Sequence, residues 1–263
     1  MSDETTARSK PSGNDISTTF AKGLRVLKAF ETGTAPLTLA EIARLAELDR
    51  ATSRRLVLTL AHLGYVRQSG RGFTLTPKIL LLAGGFLHSR QFTKRVVPVL
   101  NQHSKAIGVP IYLAVRDGFD AVYLAHAGLE EGNISYGFSV GSRLPLLQTG
   151  IGRALLVSEA PEVARELVAD APLDAYTEHS ITDRAEVARL VEEARATGYV
   201  YSDGEFEAGV VAVAMPLPRA ETMGAAIGMS YARDRFEDGA YLTRVVEALR
   251  GCRQSLDGIA ERL

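Results

Sequence analysis

Along the first third of the chain, apolar positions recur at helical spacing. Phe20, Leu24, Leu27 and Phe30 follow one another at steps of four, three and three, which predicts an amphipathic helix from Thr19 with these residues on its buried face. Gly33 and Pro36 end it. Thr38-x-x-Glu41 is a capping-box pattern opening a second helix, in which Leu39, Ile42, Ala43 and Ala46 supply one apolar face. After the short turn Glu47–Asp49, the Asp49 carboxylate suits the orphan amides of a third helix, expected over 50–63. Leu56, Leu60 and Leu63 form its expected buried stripe, and its first turns carry Arg50, Thr52, Ser53, Arg54 and Arg55, none of which belongs in a core. Gly64 stops this helix. Two short strands, Tyr65–Arg67 and Phe73–Leu75, then flank a Gly-rich basic tip at 68–72, as in a hairpin.

From Thr76 a helical pattern resumes, with a weak point at Gly84-Gly85, and a domain boundary is expected at 85–92. Beyond it a helix is predicted over 92–106 despite Pro98. The runs IYLAVRD and AVYLAHAG read as a hairpin around Gly118. The segment SVGSRLPLLQTG reads as a loop leading into the helical IGRALLVS. Two further helical stretches, two buried strands (VVAVAMPLP and MGAAIGMSYA) and a long C-terminal helix complete the chain. Helices and antiparallel strands in runs, without strict alternation, indicate an α+β fold.

Composition narrows the class. With 46% hydrophobic and 23% charged residues, the 263-residue chain is neither disordered nor collagen-like. No apolar run approaches the roughly 20 residues of a membrane helix, and the polar N-terminus lacks a secretory signal, so a cytoplasmic protein is expected. The single cysteine excludes an intrachain disulfide and a Cys-rich zinc site. The net charge of −1 conceals an asymmetry: residues 1–90 carry +6 and residues 91–263 carry −7. Such a split fits either two modules with different partners or chance scatter beside a solvated basic tail.

Three helices and a basic hairpin within residues 19–75 are the parts of a winged helix-turn-helix, whose second helix of the pair enters the major groove N-terminus first. Arginine reads guanine bidentately, and Ser and Thr hydroxyls serve bases or phosphates, so Arg50, Thr52, Ser53, Arg54 and Arg55 are DNA-binding candidates. Arg67 and Arg71 on the hairpin reach phosphates or a minor groove, and Thr38 is grouped with them. The competing reading is a solvated basic helix in an unrelated bundle; the basic hairpin favours DNA.

These residues carry a resemblance. LTLAEIARLAELDRATSRRLVLTLAHLGYV, followed by the hairpin and FTLTPKIL, resembles the IclR family of bacterial transcriptional regulators. GSRLPLLQTGIGRALL and GYVYSDGEFEAGVVAVAMPLP are similar to two blocks of that family's second half, in the same order. Arg-Ala-x-x-Arg-Arg at 50–55, the run Phe73-Thr-Leu-Thr-Pro77 and the pair Gly152-Arg153 look most like the subgroup controlling aromatic-acid catabolism. Residues 1–17, rich in Ser, Thr, Asp and Lys without a hydrophobic period, read as a disordered tail. The resemblance implies a winged helix-turn-helix at 18–76, a linker helix at 77–91 and a GAF-like effector-binding domain at 92–263. It further implies a homodimer or homotetramer on a palindromic operator, repressing or activating a catabolic operon, with a small carboxylate as effector and no cofactor.

The family's effector pocket carries over onto Gly141, Arg143, Leu146 and Thr149, with Gly150 opening a helix whose amides suit an anion. Arg143 pairs with a carboxylate or holds its own loop, and both readings stay open. Members that bind small oxoacids have an Asp, a Cys and two Ser where this chain has Ser202, Ala212, Gly228 and Ser230. Three of these four depart toward a roomier, less polar pocket, and the adaptable Met215 follows in the same stretch. The resemblance therefore implies an effector larger and more apolar than glyoxylate or pyruvate, in the direction of an aromatic acid.

Two other classes compete. An enzyme finds little support: His126 and His179 stand without a G-x-S-x-G motif, Leu155 breaks a dinucleotide fingerprint, no H-E-x-x-H or Cys/His cluster is present, and Cys252 reads as a buried small side chain. A DNA-architectural protein without a ligand leaves the second half, with its substantial core, unexplained.

Overall fold

The computed structural model describes residues 15–32, 36–89, 92–128, 138–218, 224–237 and 239–260. Most of the expected tail, and the helix stop assigned to Gly33, lie outside them. The chain separates into two compact units between Phe86 and Leu87.

In the first unit, α1 (Thr18–Lys28), α2 (Leu39–Leu45) and α3 (Arg50–His62) precede the hairpin β1 (Val66–Ser69) and β2 (Gly72–Leu75), and α4 (Lys78–Ser89) follows. The buried face of α1 differs from the expected one. Val26, Ala29 and Phe30 enter the core, whereas Phe20 and Leu24 are 68% and 45% exposed. At 100° per residue these two sit about 120° and 160° around the helix from Val26, so a regular apolar spacing defines a stripe without saying whether the core lies under it. The α3 stripe shifts similarly. Ser53, Val57 and Leu60 point inward, Leu56 is half-buried, and Leu63 is exposed. The capping box of α2 forms as its sequence dictates, with the Glu41 amide on Thr38 Oγ1 and the Thr38 amide on Glu41 Oε2. The β1–β2 pair runs from Val66↔Leu75 to Ser69↔Gly72, and Gly70 takes the left-handed φ of +59° at its tip.

The second unit is a six-stranded antiparallel sheet in the order β5-β4-β3-β8-β7-β6. Its strands are β3 (Ile111–Asp117), β4 (Asp120–Ala127), β5 (Arg143–Pro145), β6 (Val200–Asp203), β7 (Val210–Pro216) and β8 (Ala225–Ala232). The two edge strands, β5 and β6, are too short for periodicity to reveal; β5 lies inside what reads as a loop. Helices α5 (Phe92–Ile107) and α9 (Gly239–Ala260) cover one face over Leu113, Val213, Met215 and Ile227, with Cys252 fully buried among them. The other face receives α6 (Gly150–Ser158), with α7 (Pro161–Asp170) and α8 (Arg184–Thr197) outside it. Strand alternation sorts the side chains: Ala212 and Ala214 face α6, whereas Val211, Val213 and Met215 face α5 and α9. A β-bulge breaks this rule in β4. Leu113 pairs with Ala125 but Ala114 with Tyr123, so Leu124 is the extra residue, and Tyr123 and Ala125 end on opposite faces.

Helix α6 lies close against its neighbours because two of its first three residues are glycines. A Cβ on Gly150 would touch the Ala212 Cβ at 3.2 Å, and one on Gly152 would run into the backbone carbonyl of Leu146. Thr149 caps the helix, accepting from the Gly152 amide at 3.1 Å while donating to Pro145 O at 2.8 Å. At the other end Arg195 of α8 donates to the carbonyls of Leu156, Val157 and Glu159, placing a cation where the helix dipole favours one. Gly152→Ala should destabilise the protein by about 1–3 kcal/mol, since backbone rather than a side chain must yield. Gly118→Ala, at a turn with φ +61° and open space, should cost only about 1 kcal/mol. Urea unfolding of the two variants checks the order.

Candidate functional site

Two surfaces combine exposure with chemistry. The first is the N-terminal half of α3. Asp49 Oδ1 accepts from the Thr52 amide at 2.8 Å, and hydrogen bonds from Thr52 hold this carboxyl below the usual carboxylate range. The cap fixes the helix start, and Arg50, Arg54 and Arg55 all stand exposed beyond it. Arg67 on β1 and Arg71 at the hairpin tip are exposed as well. Thr52 is half-buried. The Thr38 hydroxyl is committed to its cap, donating to Glu41 Oε2 at 2.7 Å. Ser53 is the clear correction: its side chain is wholly buried, with no hydrogen-bond partner for Oγ among the described residues, and does not reach the surface of α3. Because Ser53, Val57 and Leu60 face inward, the opposite direction passes through Ala51 and Arg55, and Ala51 is exposed. Counting inward positions was the signal that identifies Ala51, and it needed the packing. The C-terminal end of α3 is tied to α4, with Lys78 Nζ on Leu63 O at 2.8 Å and 5.0 Å from the Tyr65 ring.

The second surface is a cavity of about 540 Å³, mouth included, between the start of α6 and the sheet. Thr149, Gly150 and Ile151 line it from α6, and Ser202, Ala212 and Ser230 form one cross-strand row beneath them. Gly228, paired with both Ala214 and Tyr112, leaves a gap in the next row. Six of the positions singled out in the sequence thus converge here: Thr149, Gly150, Ser202, Ala212, Gly228 and Ser230.

Four others do not. Arg143 gives its guanidinium to Asp120, at 2.7 and 3.0 Å, and to Asp117 at 2.8 Å, so it holds its own loop. Gly141 sits at φ +91° in the turn before β5, donating its amide to Tyr123 O, where it shapes the loop without lining the cavity. Leu146 is buried beneath α6, against Gly152. Met215, three residues beyond Ala212, falls on the opposite face of the sheet by strand alternation.

The aromatic wall was not legible in advance. Tyr123 reaches the cavity only because of the bulge, stacks on Tyr112 at 4.6 Å and meets Phe138 at 5.8 Å. Burial, with Tyr112 adjacent, pushes the Tyr123 phenol up. The β6–β7 loop adds Glu205, Phe206 and Glu207. Glu205 forms an ion pair with Arg153, itself almost wholly buried one turn into α6, whose Nε and Nη1 have no protein partner. The hydroxyls of Thr177 and Ser180 donate to the carbonyls of Gly204 and Glu205, both at 2.6 Å, and hold the loop in place. Amides at a helix start beside aromatic side chains can accept an anionic group next to a flat ring.

The residues considered for catalysis stay apart. His126 is exposed beside Tyr112, His179 is exposed, and burial pushes the Cys252 thiol up to about 12. Among the described residues no group of three or more His, Cys, Asp or Glu could hold a metal ion, and no helix is long and apolar enough to cross a membrane.

Comparison with known proteins identifies the two domains. The IclR helix-turn-helix domain matches residues 19–70, and the C-terminal domain of IclR bacterial transcriptional regulators matches residues 84–258. The Pca regulon regulatory protein of Pseudomonas putida is 34% identical over 203 residues, covering 77% of this chain and 70% of that protein. The p-hydroxybenzoate hydroxylase transcriptional activator of Acinetobacter baylyi is 28% identical over 242 residues, covering 90% and 89%. Among solved structures, the inducer-binding domain of an Acinetobacter PobR double mutant, in complex with 3-hydroxybenzoic acid, matches 62% of this chain and 96% of its own at 26% identity and a TM-score of 0.57.

Two expectations follow from the geometry. Ser53→Ala should leave stability within about 1 kcal/mol of the parent or raise it, because it removes a buried hydroxyl with no partner. Cys252 should react with a thiol reagent only after the protein is unfolded. Chemical denaturation and timed labelling read these directly.

Proposed function

The chain belongs to the IclR family of bacterial transcriptional regulators, and from that premise we propose that it binds a palindromic operator through α3 and the β1–β2 hairpin and is controlled by an aromatic carboxylic acid held at the start of α6. Its domains are DNA-binding and effector-binding, and the protein is a regulator rather than an enzyme. The observation that carries the effector reading is the cavity itself, where Thr149, Gly150 and Ile151 begin a helix over a floor of Ala212 and Gly228 beside Tyr123, Phe138 and Phe206. In this reading the carboxylate takes the free amides of α6 and the ring takes the apolar slot. The relatives named for p-hydroxybenzoate hydroxylase and bound to 3-hydroxybenzoic acid support an aromatic acid.

On the DNA side, Arg50, Arg54 and Arg55 face the major groove and Arg67 and Arg71 the backbone, with Ala51 taking the place that Ser53 was expected to hold. A homodimer or homotetramer is supported by apolar surface left uncovered in one copy. Ile16, just before α1, and Phe20 and Leu24 on it are 50%, 68% and 45% exposed, and Leu80, Leu81 and Leu82 are 66%, 72% and 58% exposed on α4. A two-fold dimer calls for half-sites about one helical turn apart, or a multiple of it. The effector acts by binding the two DNA-affinity states unequally, typically by about 1–3 kcal/mol.

Selection of bound fragments from sheared genomic DNA at about 0.15 M salt tests the reading, since electrostatic binding alone is weak there. An enriched inverted repeat is expected, and no enrichment with or without aromatic acids overturns it. On the selected operator, Arg55→Ala or Arg54→Ala should lose about 1–3 kcal/mol and relax specificity at one position. Arg71→Ala should weaken binding evenly across sequences and lower the salt slope by about 1. Ala212→Leu should abolish the response to the effector, because the added side chain fills the cavity; the melting temperature of the variant reads the cost to the packing of α6.

A further inference from the structure

The charge inside the cavity is lopsided. Among the described residues its lining holds two carboxylates, Glu205 and Glu207, and no Lys, Arg or His. The arginine expected nearby, Arg143, is spent on Asp117 and Asp120 outside it. The two glutamates differ in their surroundings. Glu205 is buried and neutralised by the guanidinium of Arg153. Glu207 is half-buried and makes no ion pair or side-chain hydrogen bond among the described residues. Burial pushes its carboxyl up from the usual range, as expected for an acid losing water without gaining a cation.

One end of an acid ligand has a place to go, because the amides of Gly150 and Ile151 open α6 without intrahelical partners. A second carboxylate has none. Inside the cavity it meets the uncompensated charge of Glu207 in a partly desolvated wall, where like charges repel far more strongly than in water. A hydroxyl or amino group does the reverse, since it donates a hydrogen bond to a charged acceptor, the stronger kind.

We propose that the cavity selects a monocarboxylic acid carrying a hydrogen-bond donor, and that Glu207 is the residue that rejects dicarboxylic acids. This rests on the reading of the cavity as the effector site. It goes further by dividing ring-cleaved or para-dicarboxylic acids, which carry two negative charges, from hydroxy- and amino-substituted aromatic acids, which carry one. Such an effector is the substrate side of an aromatic pathway, before any step that adds a second carboxylate.

Calorimetry and thermal shift on the full chain decide the matter with 4-hydroxybenzoate, 4-aminobenzoate, benzoate, terephthalate and adipate as probes. The parent should bind 4-hydroxybenzoate or 4-aminobenzoate at least tenfold more tightly than benzoate, and should bind terephthalate and adipate more weakly still. Glu207→Gln should tighten terephthalate at least tenfold and weaken 4-hydroxybenzoate, closing the gap between them. Glu207→Asp, which keeps the charge, should restore the parental order, a pattern that a merely structural role for Glu207 does not produce. The melting temperature of each free variant monitors folding. Terephthalate or adipate binding the parent as tightly as the hydroxy acid overturns the inference and leaves the effector site standing. If none of the five acids binds, the effector reading falls and the inference with it.

Discussion

The close approach of α6 to the sheet is the constraint on which the second unit depends. Two glycines, two residues apart at its start, remove side chains that would hold the helix off, and each faces a close neighbour: the Ala212 Cβ for Gly150, the Leu146 backbone for Gly152. The Thr149 cap fixes where the helix starts, and Arg195 holds its last carbonyls. A helix so held presents its first amides at one spot above Ser202, Ala212 and Ser230. Binding and stability therefore share a cause. The residues that pack α6 are the ones that leave a cavity at its N-terminus, because Ala212 and Gly228 are small enough for the helix to sit low and too small to fill the space beside it.

Charge is distributed to the same end. Arg153 lies almost wholly out of water and is matched by Glu205, which ties the β6–β7 loop to α6. Removing one partner of such a pair leaves an uncompensated buried charge, so the loop is pinned more firmly than hydrogen bonds alone would pin it. Thr177 and Ser180 add neutral ties to the same loop. Phe206 and Glu207 ride on it in the cavity wall.

The DNA-binding unit shows the complementary arrangement. Its helices are set by local rules, with a capping box on α2, an Asp49 cap on α3, and Lys78 on the last carbonyls of α3. Caps fix where a helix starts; they do not fix which way it is turned. Packing of Val57 and Leu60, with Ser53 beside them, turns α3, and that rotation sends Ala51, Arg54 and Arg55 outward together. The hydroxyl of Ser53 is buried in consequence, although the residue type in that position reads as polar surface.

The sequence by itself determined the features that depend on neighbours in the chain. Helix starts, the hairpin turn, the two-module division in charge, and the family are all carried by contiguous residues such as Thr38-x-x-Glu41, Asp49 and the Gly150-Ile-Gly152-Arg153 run. Strand alternation also assigns Met215 to the face away from Ala212, so that correction was within reach of the sequence. Tertiary structure decided what depends on residues far apart. It selected which stripe of α1 faces the core, committed Arg143 to Asp117 and Asp120, and, through the extra residue at Leu124, turned Tyr123 into the cavity. Periodicity records only that a segment has an apolar side; the direction in which that side points is set by the surfaces it meets, and those come from elsewhere in the chain.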